Sequence, residues 1–177
     1  LTSEKIPTLE DALATSKSRI DVKLDKSYRV FQMTYNIVLA NDQLNEVYFK
    51  THVPNSESSE IISKNYKIRL IPMLEFPMKH PKEFTIEHLK NPQVVGFEFI
   101  LPEDNIPYIN TFETLKKTGK EVWVNSFWAR FSGGHDDSKF EKNPEVYQWY
   151  IDNHVTMIQT DHPERLLTYL REKGLHN

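Results

Sequence analysis

The segment Ile20-Asp-Val-Lys-Leu-Asp-Lys26 carries a charge at every second residue up to Asp25. In an extended chain this puts Asp21, Lys23 and Asp25 on one face and Ile20, Val22 and Leu24 on the other. Carboxylates ending such a strand suit a hard divalent cation, or they form the solvated face of an edge strand. Val47-Tyr-Phe-Lys50 repeats the alternation: Val47 and Phe49 suit a helix layer, so Tyr48 and Lys50 face the other way. Lys50 then brings a positive charge to a strand end, or merely snorkels to water. Further polar groups fall at equivalent heights. Glu75 ends an apolar run, Glu98 shares a face with Gly96 and Ile100, and Asn125 shares one with Trp123 and Phe127. A buried Glu98 requires a partner, which Lys23, Lys50 or a metal could provide. For any one of these residues a structural salt bridge is an equal reading.

The longest turn, residues 129–143, contains Gly133-Gly-His-Asp-Asp137. The glycines free the backbone, and His135, Asp136 and Asp137 could bind metal or substrate or belong to a polar lid. Trp128 and Phe131 could pack on an apolar part of a substrate or close the mouth of a fold. The remaining histidines lack metal-ligand spacing. There is no phosphate-binding glycine loop, nucleotide fingerprint or serine nucleophile elbow.

Strands and helices alternating along the chain must position these groups. Thr8-Leu-Glu-Asp-Ala-Leu-Ala14 predicts an opening helix, with Thr8 as N-cap and Asp11 as the capping-box acid. Strands are expected at Ile20–Asp25, Glu46–Thr51, Ile68–Leu74, Val94–Ile100, Glu121–Asn125 and Thr156–Gln159. Helical patterns lie between them at Tyr28–Ala40, Ser56–Asn65, Phe84–Leu89, Ile109–Thr118 and Pro144–Asn153. Near the end, Thr160-Asp-His-Pro163 precedes an amphipathic helix, with Asp161 as cap, Pro163 in the first turn and Leu166, Leu167 and Leu170 as the buried stripe. This alternation predicts right-handed βαβ crossovers and a parallel sheet. An open doubly wound sheet is one solution. A (β/α)8 barrel is favoured, because strands buried on both faces of an open sheet read as continuous apolar runs, which Ile20–Asp25 does not. The chain holds six such units in 177 residues, against eight in about 250 for a whole barrel.

Bulk properties narrow the class. A chain of 177 residues supports a single domain over 1–177, and 38% hydrophobic residues argue for a globular core. A net charge of −3 gives no pull toward nucleic acid. No apolar run is long enough for a transmembrane helix. Without cysteine there is no disulfide or thiol chemistry, which leaves the compartment open, periplasmic or extracellular being favoured over cytoplasmic. The first residue is Leu1 rather than Met, so the chain reads as a piece of a longer product.

Four segments together resemble the glycerophosphodiester phosphodiesterase family: Ile6-Pro-Thr-Leu-Glu-Asp-Ala-Leu13, Ile20–Lys26, Val122-Trp-Val-Asn-Ser-Phe-Trp128 and the Thr-Asp-X-Pro ending. The resemblance implies an α/β TIM barrel, here strands 3–8 only. It implies a bacterial hydrolase of lipid metabolism that uses Ca²⁺ or Mg²⁺ to cleave a small glycerophosphodiester-like substrate. On this alignment Asp25 falls on the metal-ligand position of the third strand. The family's phosphate-contacting Lys falls on Ser27, and Lys50 is the replacement. Glu75, Glu98, Asn125 and Trp128 are then substrate or phosphate contacts, with His135 and Asp136 as loop contributors. The family's two acid/base histidines and its Glu-X-Asp pair belong to the first two strands and have no counterpart here. Two other readings stay open: a non-catalytic barrel that binds phosphate or glycan, and a fragment that self-associates or needs a complementing N-terminal segment.

Overall fold

A computed structural model describes residues 5–53, 61, 64, 66–104 and 106–177. Six strands form one sheet in the order β1-β2-β3-β4-β5-β6: Val22–Leu24, Val47–Val53, Arg69–Glu75, Gly96–Ile100, Glu121–Asn125 and Met157–Gln159. The pairings β1–β2, β3–β4, β4–β5 and β5–β6 are all parallel. A doubly wound sheet reverses its strand order at a switch point, and this order never reverses. The class is α/β, and the topology is that of six consecutive units of an incomplete (β/α)8 barrel. The helices are α1 (Leu9–Ser16), α2 (Phe31–Ala40), α3 (Pro81–Leu89), α4 (Phe112–Lys117), α5 (Gln148–Asp152) and α6 (Pro163–Glu172). The helix expected at Ser56–Asn65 lies outside the described residues, apart from Ile61 and Lys64. No helix among the described residues is long and apolar enough to cross a membrane.

The chain divides into two compact units, Leu1–Pro72 with Asn91–Val94, and Met73–Lys90 with Val95–Asn177. In the first, α1 starts as expected: Thr8 Oγ1 accepts the Asp11 N–H at 3.2 Å and Asp11 accepts the Thr8 N–H at 3.0 Å. The register Val22↔Val47, Lys23↔Tyr48 and Leu24↔Phe49 carries the alternation across the pair. Val47 and Phe49 are buried, and the Phe49 ring meets Phe31 of α2 edge-on at 5.5 Å. Asp21 lies ahead of the shortened β1, where Arg69 donates to its carboxylate at 2.6 Å and to the Asn45 carbonyl at 2.8 Å. The same guanidinium lies 3.7 Å from the centre of the Tyr48 ring. Asp21 is therefore a structural clip at the amino ends of the strands. Lys26 ends β1 in the left-handed region, with φ 56°, and turns the chain into a 3-10 turn over Ser27–Val30 that leads into α2.

In the second unit every residue of β4 is buried. Phe97 and Phe99 face the helices, where the Phe99 ring lies 4.5 Å from that of Phe112 in α4. Gly96, Glu98 and, on β5, Glu121 and Trp123 share the opposite face, in the register Gly96↔Glu121 and Glu98↔Trp123. Any side chain at Gly96 would place its Cβ 2.5 Å from Glu121 Cβ and O, so only glycine permits this approach.

The ending differs in detail from expectation. His162, not Asp161, precedes α6, and no side chain caps that helix. The Asp161 side chain is exposed, and Thr160 Oγ1 accepts the His162 N–H at 2.9 Å. Pro163 sits in the first turn as predicted. Leu166 and Tyr169 are the buried residues of the stripe, while Leu167 and Leu170 are half-buried.

Candidate active site

The first unit brings Asp25 and Lys50 together. Asp25 follows the last residue of β1, whereas β2 runs on to Val53 and leaves Lys50 in mid-strand rather than at the strand end its sequence suggested. The β1–β2 register still sets the two side by side, with Lys50 Nζ 3.3 Å from Asp25 Oδ1. The Lys50 side chain is only 12% exposed and the Asp25 side chain 54%. A mostly buried ammonium next to a half-open carboxylate is a charge pair that an anion or a cation entering from solvent could rearrange. Its worth to stability is small, because solvent screens the Asp25 side.

The second unit brings Glu98 and Asn125 together. Glu98 is fully buried, and Asn125 is 4% exposed at the carboxyl end of β5. Asn125 lies two residues beyond Trp123, the register partner of Glu98, and donates from Nδ2 to Glu98 Oε1 at 2.9 Å. Asn125 is thus one partner that a buried Glu98 requires. The bond also fixes the amide, since a flip would set two acceptor oxygens face to face. Asn125 Oδ1 is left buried with no hydrogen-bond partner among the described residues. Leaving such an acceptor unfilled costs about 1–3 kcal/mol. Glu75 is the exposed last residue of β3, registered with Ile100.

The turn after β5 is built around Asp137, which is 3% exposed. Its carboxylate accepts from Ser126 Oγ at 2.7 Å, Tyr147 OH at 2.8 Å, Thr160 Oγ1 at 2.8 Å and the Asp161 N–H at 3.1 Å. Four donors saturate it, so Asp137 is a structural knot and not the metal or substrate ligand that its sequence setting allowed. Burial, and then the Asp137 charge, push the Tyr147 hydroxyl up to about 12. Asp136 is buried too, and its Oδ1 accepts the Ser138 N–H at 3.2 Å and the Ser138 hydroxyl, capping the turn Asp137–Lys139.

His135 remains available in part. Its ring stacks on Trp149 with centroids 4.5 Å apart, and its Nε2 lies 3.4 Å from Asp104 Oδ2. Burial lowers its pKa from the ordinary imidazole value, and Asp104 opposes that shift. Asp104 escapes a sequence reading, because Pro102-Glu-Asp-Asn105 looks like any polar turn. The Leu101↔Ser132 bridge and the Gly133 N–H bond to the Leu101 carbonyl at 2.7 Å hold the two turns together. Trp128 is 56% exposed, 5.1 Å from Phe131 ring to ring, and Arg130 lies over both rings.

Among the described residues, no group of three His, Asp or Glu side chains could hold a metal ion. Asp25 offers a single oxygen-bearing side chain, whereas Ca²⁺ takes six to eight oxygen ligands and Mg²⁺ an octahedron. The described residues do not on their own fit the cation that the sequence resemblance implies.

Comparison with known proteins agrees with the topology. A crystal structure of a glycerophosphoryl diester phosphodiesterase from Parabacteroides distasonis ATCC 8503 superposes with a TM-score of 0.69 at 16% identity. The match covers 96% of this chain and 56% of that one, so the chain spans little more than half of its neighbour's length. At this identity the likeness establishes the fold. No curated protein matches the sequence. A family model described as a domain of unknown function, DUF4996, matches residues 70–170. The chain belongs to this DUF4996 family.

Proposed function

We propose that this chain is part of a phosphoric diester hydrolase acting on a small glycerophosphodiester-like substrate, and that Lys50 is its phosphate contact. The observation that carries the reading is the Asp25–Lys50 pair, an ammonium 12% exposed beside the carboxylate that follows the carboxyl end of β1. Barrel enzymes build their sites at that end. The fold shared with a glycerophosphoryl diester phosphodiesterase supports the same choice. Hydrolysis would break the bond between phosphorus and the alcohol oxygen, with water supplying a hydroxyl to phosphorus and a proton to the leaving alcohol.

Lys50 would neutralise a phosphate oxygen, and Asp25 would hold the ammonium in place before substrate arrives. Asp25 is also proposed as one ligand of Ca²⁺ or Mg²⁺. Asp25 would hold such a cation only together with ligands beyond the described residues, and the cation would supply charge neutralisation for a phosphate. Glu75, Glu98, Asn125 and Trp128 are proposed as substrate contacts at the ends of their own strands, and His135 and Asp136 as contributors from the turn.

Calorimetric titration of inorganic phosphate and glycerol 3-phosphate into the full polypeptide tests the reading. Lys50→Met is expected to weaken both at least tenfold. Equal affinity in wild type and Lys50→Met would remove Lys50 from the site and overturn the proposal.

A further inference from the structure

α2 has two apolar faces, and only one of them is covered. Phe31, Thr34 and Val38 are its buried residues, the first against Phe49 of β2. Met33, Ile37 and Ala40 follow one another at helical spacing, with Val30 three residues ahead, so they form a second stripe. Val30 is 50% exposed and Met33 60%, while Ala40 is exposed and Ile37 half-buried. Gln32 and Asn36 flank the stripe and bond each other at 3.0 Å. Charge is missing from the helix itself. Phe31–Ala40 contains no Asp, Glu, Lys or Arg in a chain with 27% charged residues, and every other helix described above carries at least one. The charges stand at its two ends. Lys26 and Arg29 precede it and Asp42 follows it, all exposed and none in an ion pair among the described residues. Cations at the amino end and an anion at the carboxyl end are the reverse of what the helix dipole favours. An antiparallel copy alongside would turn that arrangement into a favourable one.

We propose that the face of α2 formed by Val30, Met33, Ile37 and Ala40 is a docking surface for a second copy of this chain, the two helices packing antiparallel about a two-fold axis. In that packing Met33 meets Ile37 of the second copy, Val30 meets its Ala40, and Arg29 lies beside its Asp42. An uncharged stripe meets itself without repulsion, and depletion of charge at the centre of a patch is the composition of an interface core. Any other partner would need an apolar face bounded by the same charges in reverse order, which a second copy supplies by symmetry. A helix of 10 residues offers a short contact, so the dimer is a weak, reversible one. The assignment is independent of the phosphodiester reading.

Sedimentation equilibrium of the full polypeptide over a concentration series tests the surface. Wild type is expected to show a concentration-dependent equilibrium of monomer and dimer, which Met33→Lys weakens about tenfold or more. An unchanged melting temperature in that variant checks that its fold is intact. Arg29→Asp alone is expected to weaken the dimer, and adding Asp42→Lys to restore it, because the reversed charges again meet their opposites. The chain has no cysteine, so an engineered one is unique. An oxidised equimolar mixture of the Met33→Cys and Ile37→Cys variants is expected to give more cross-linked dimer than either variant alone. A monomer at every concentration up to about 1 mM would overturn the proposal. Dimers that Met33→Lys leaves undiminished would place the contact at the sheet edges and overturn it as well. Cross-linking no greater in the mixture than in the single variants would do the same for the antiparallel packing.

Discussion

Thr160 and Asp137 stand 23 residues apart in sequence and 2.8 Å apart in space, the threonine hydroxyl donating to the aspartate Oδ2. The contact ties the turn after β5 to the end of β6. Replacing Asp137 by Ala strands three hydroxyl donors and a backbone N–H, some of them buried. Thermal unfolding of Asp137→Ala should show a loss of about 3 kcal/mol or more. A loss below 1 kcal/mol would mean that water replaces the carboxylate without penalty.

The same carboxylate, through Tyr147, predicts an alkaline effect. The Tyr147 hydroxyl is pushed up to about 12 from an ordinary value of 10. A group whose folded value is raised keeps its proton longer in the folded state, so its stabilisation is complete below pH 10 and is lost as pH rises toward 12. Ultraviolet titration of tyrosinate should give a midpoint for Tyr147 that moves down in Asp137→Asn. An unmoved midpoint would assign the whole shift to burial.

His135 gives an acid-side counterpart with the opposite sign. Its pKa is lowered, mainly by burial, so the folded state releases the proton more readily than the unfolded chain. Stability from this group is present above the unfolded value, about 6.5, and declines as pH falls through the folded one. His135→Gln should flatten that part of the stability profile. Removing the stacked ring with Trp149→Ala should raise the His135 midpoint in an NMR titration, and a fall would contradict burial as the main cause.

Gly96 allows a sharp test of packing. A methyl group there meets Glu121 Cβ and O at 2.5 Å, and the second of these is backbone. Gly96→Ala is expected to cost about 2–3 kcal/mol in denaturant unfolding, the range for overpacking without room to relax. Near-wild-type stability would show that β4 and β5 can slide apart at no cost.

The last expectation concerns activity and association. Among the described residues, β1 and β6 are the ends of the sheet order, each paired on one side only. Unpaired strand edges invite other strands. The 177-residue chain is therefore expected to self-associate. It is also expected to show no hydrolysis of glycerophosphodiesters with Ca²⁺ or Mg²⁺, since the two acid/base histidines of the resembled family have no counterpart in it. Mass in solution and a phosphate-release assay check both. Metal-dependent turnover by this chain would place the proton transfers on residues it contains, His135 first.

Much of this was legible in the sequence where periodicity rules. Alternation put Lys50 level with Asp25, because residues of equal parity on in-register parallel strands share a face. The same rule faced Glu98 inward, but the partners expected for it were Lys23, Lys50 or a metal, and the Asn125 amide was not foreseen. The capping box at Thr8 and Asp11 is a local pattern and reads directly. The sequence could not show that Asp137 would be saturated while its neighbours were not. Its donors, Ser126, Tyr147, and the adjacent Thr160 and Asp161, come from three places whose meeting is tertiary. Asp161 fails as a cap for the same reason: its backbone N–H is bound to Asp137, and the His162 N–H is taken by the Thr160 hydroxyl. Arg69 holds Asp21 in a clip ahead of β1 that no local rule foresees.

The fastening of the turn at Leu101–Ser132 and again at Asp137 decides where chain length can change. Between these anchors a single inserted residue would pull a backbone ladder or a saturated carboxylate out of register. From Ser138 to Glu145 every side chain but that of Phe140 is exposed, and an insertion there would only lengthen an arch. Relatives of this chain should therefore vary in length after Ser138 and hold it constant before, which would make the stretch 132–137 a ruler for aligning sequences too divergent to align by identity.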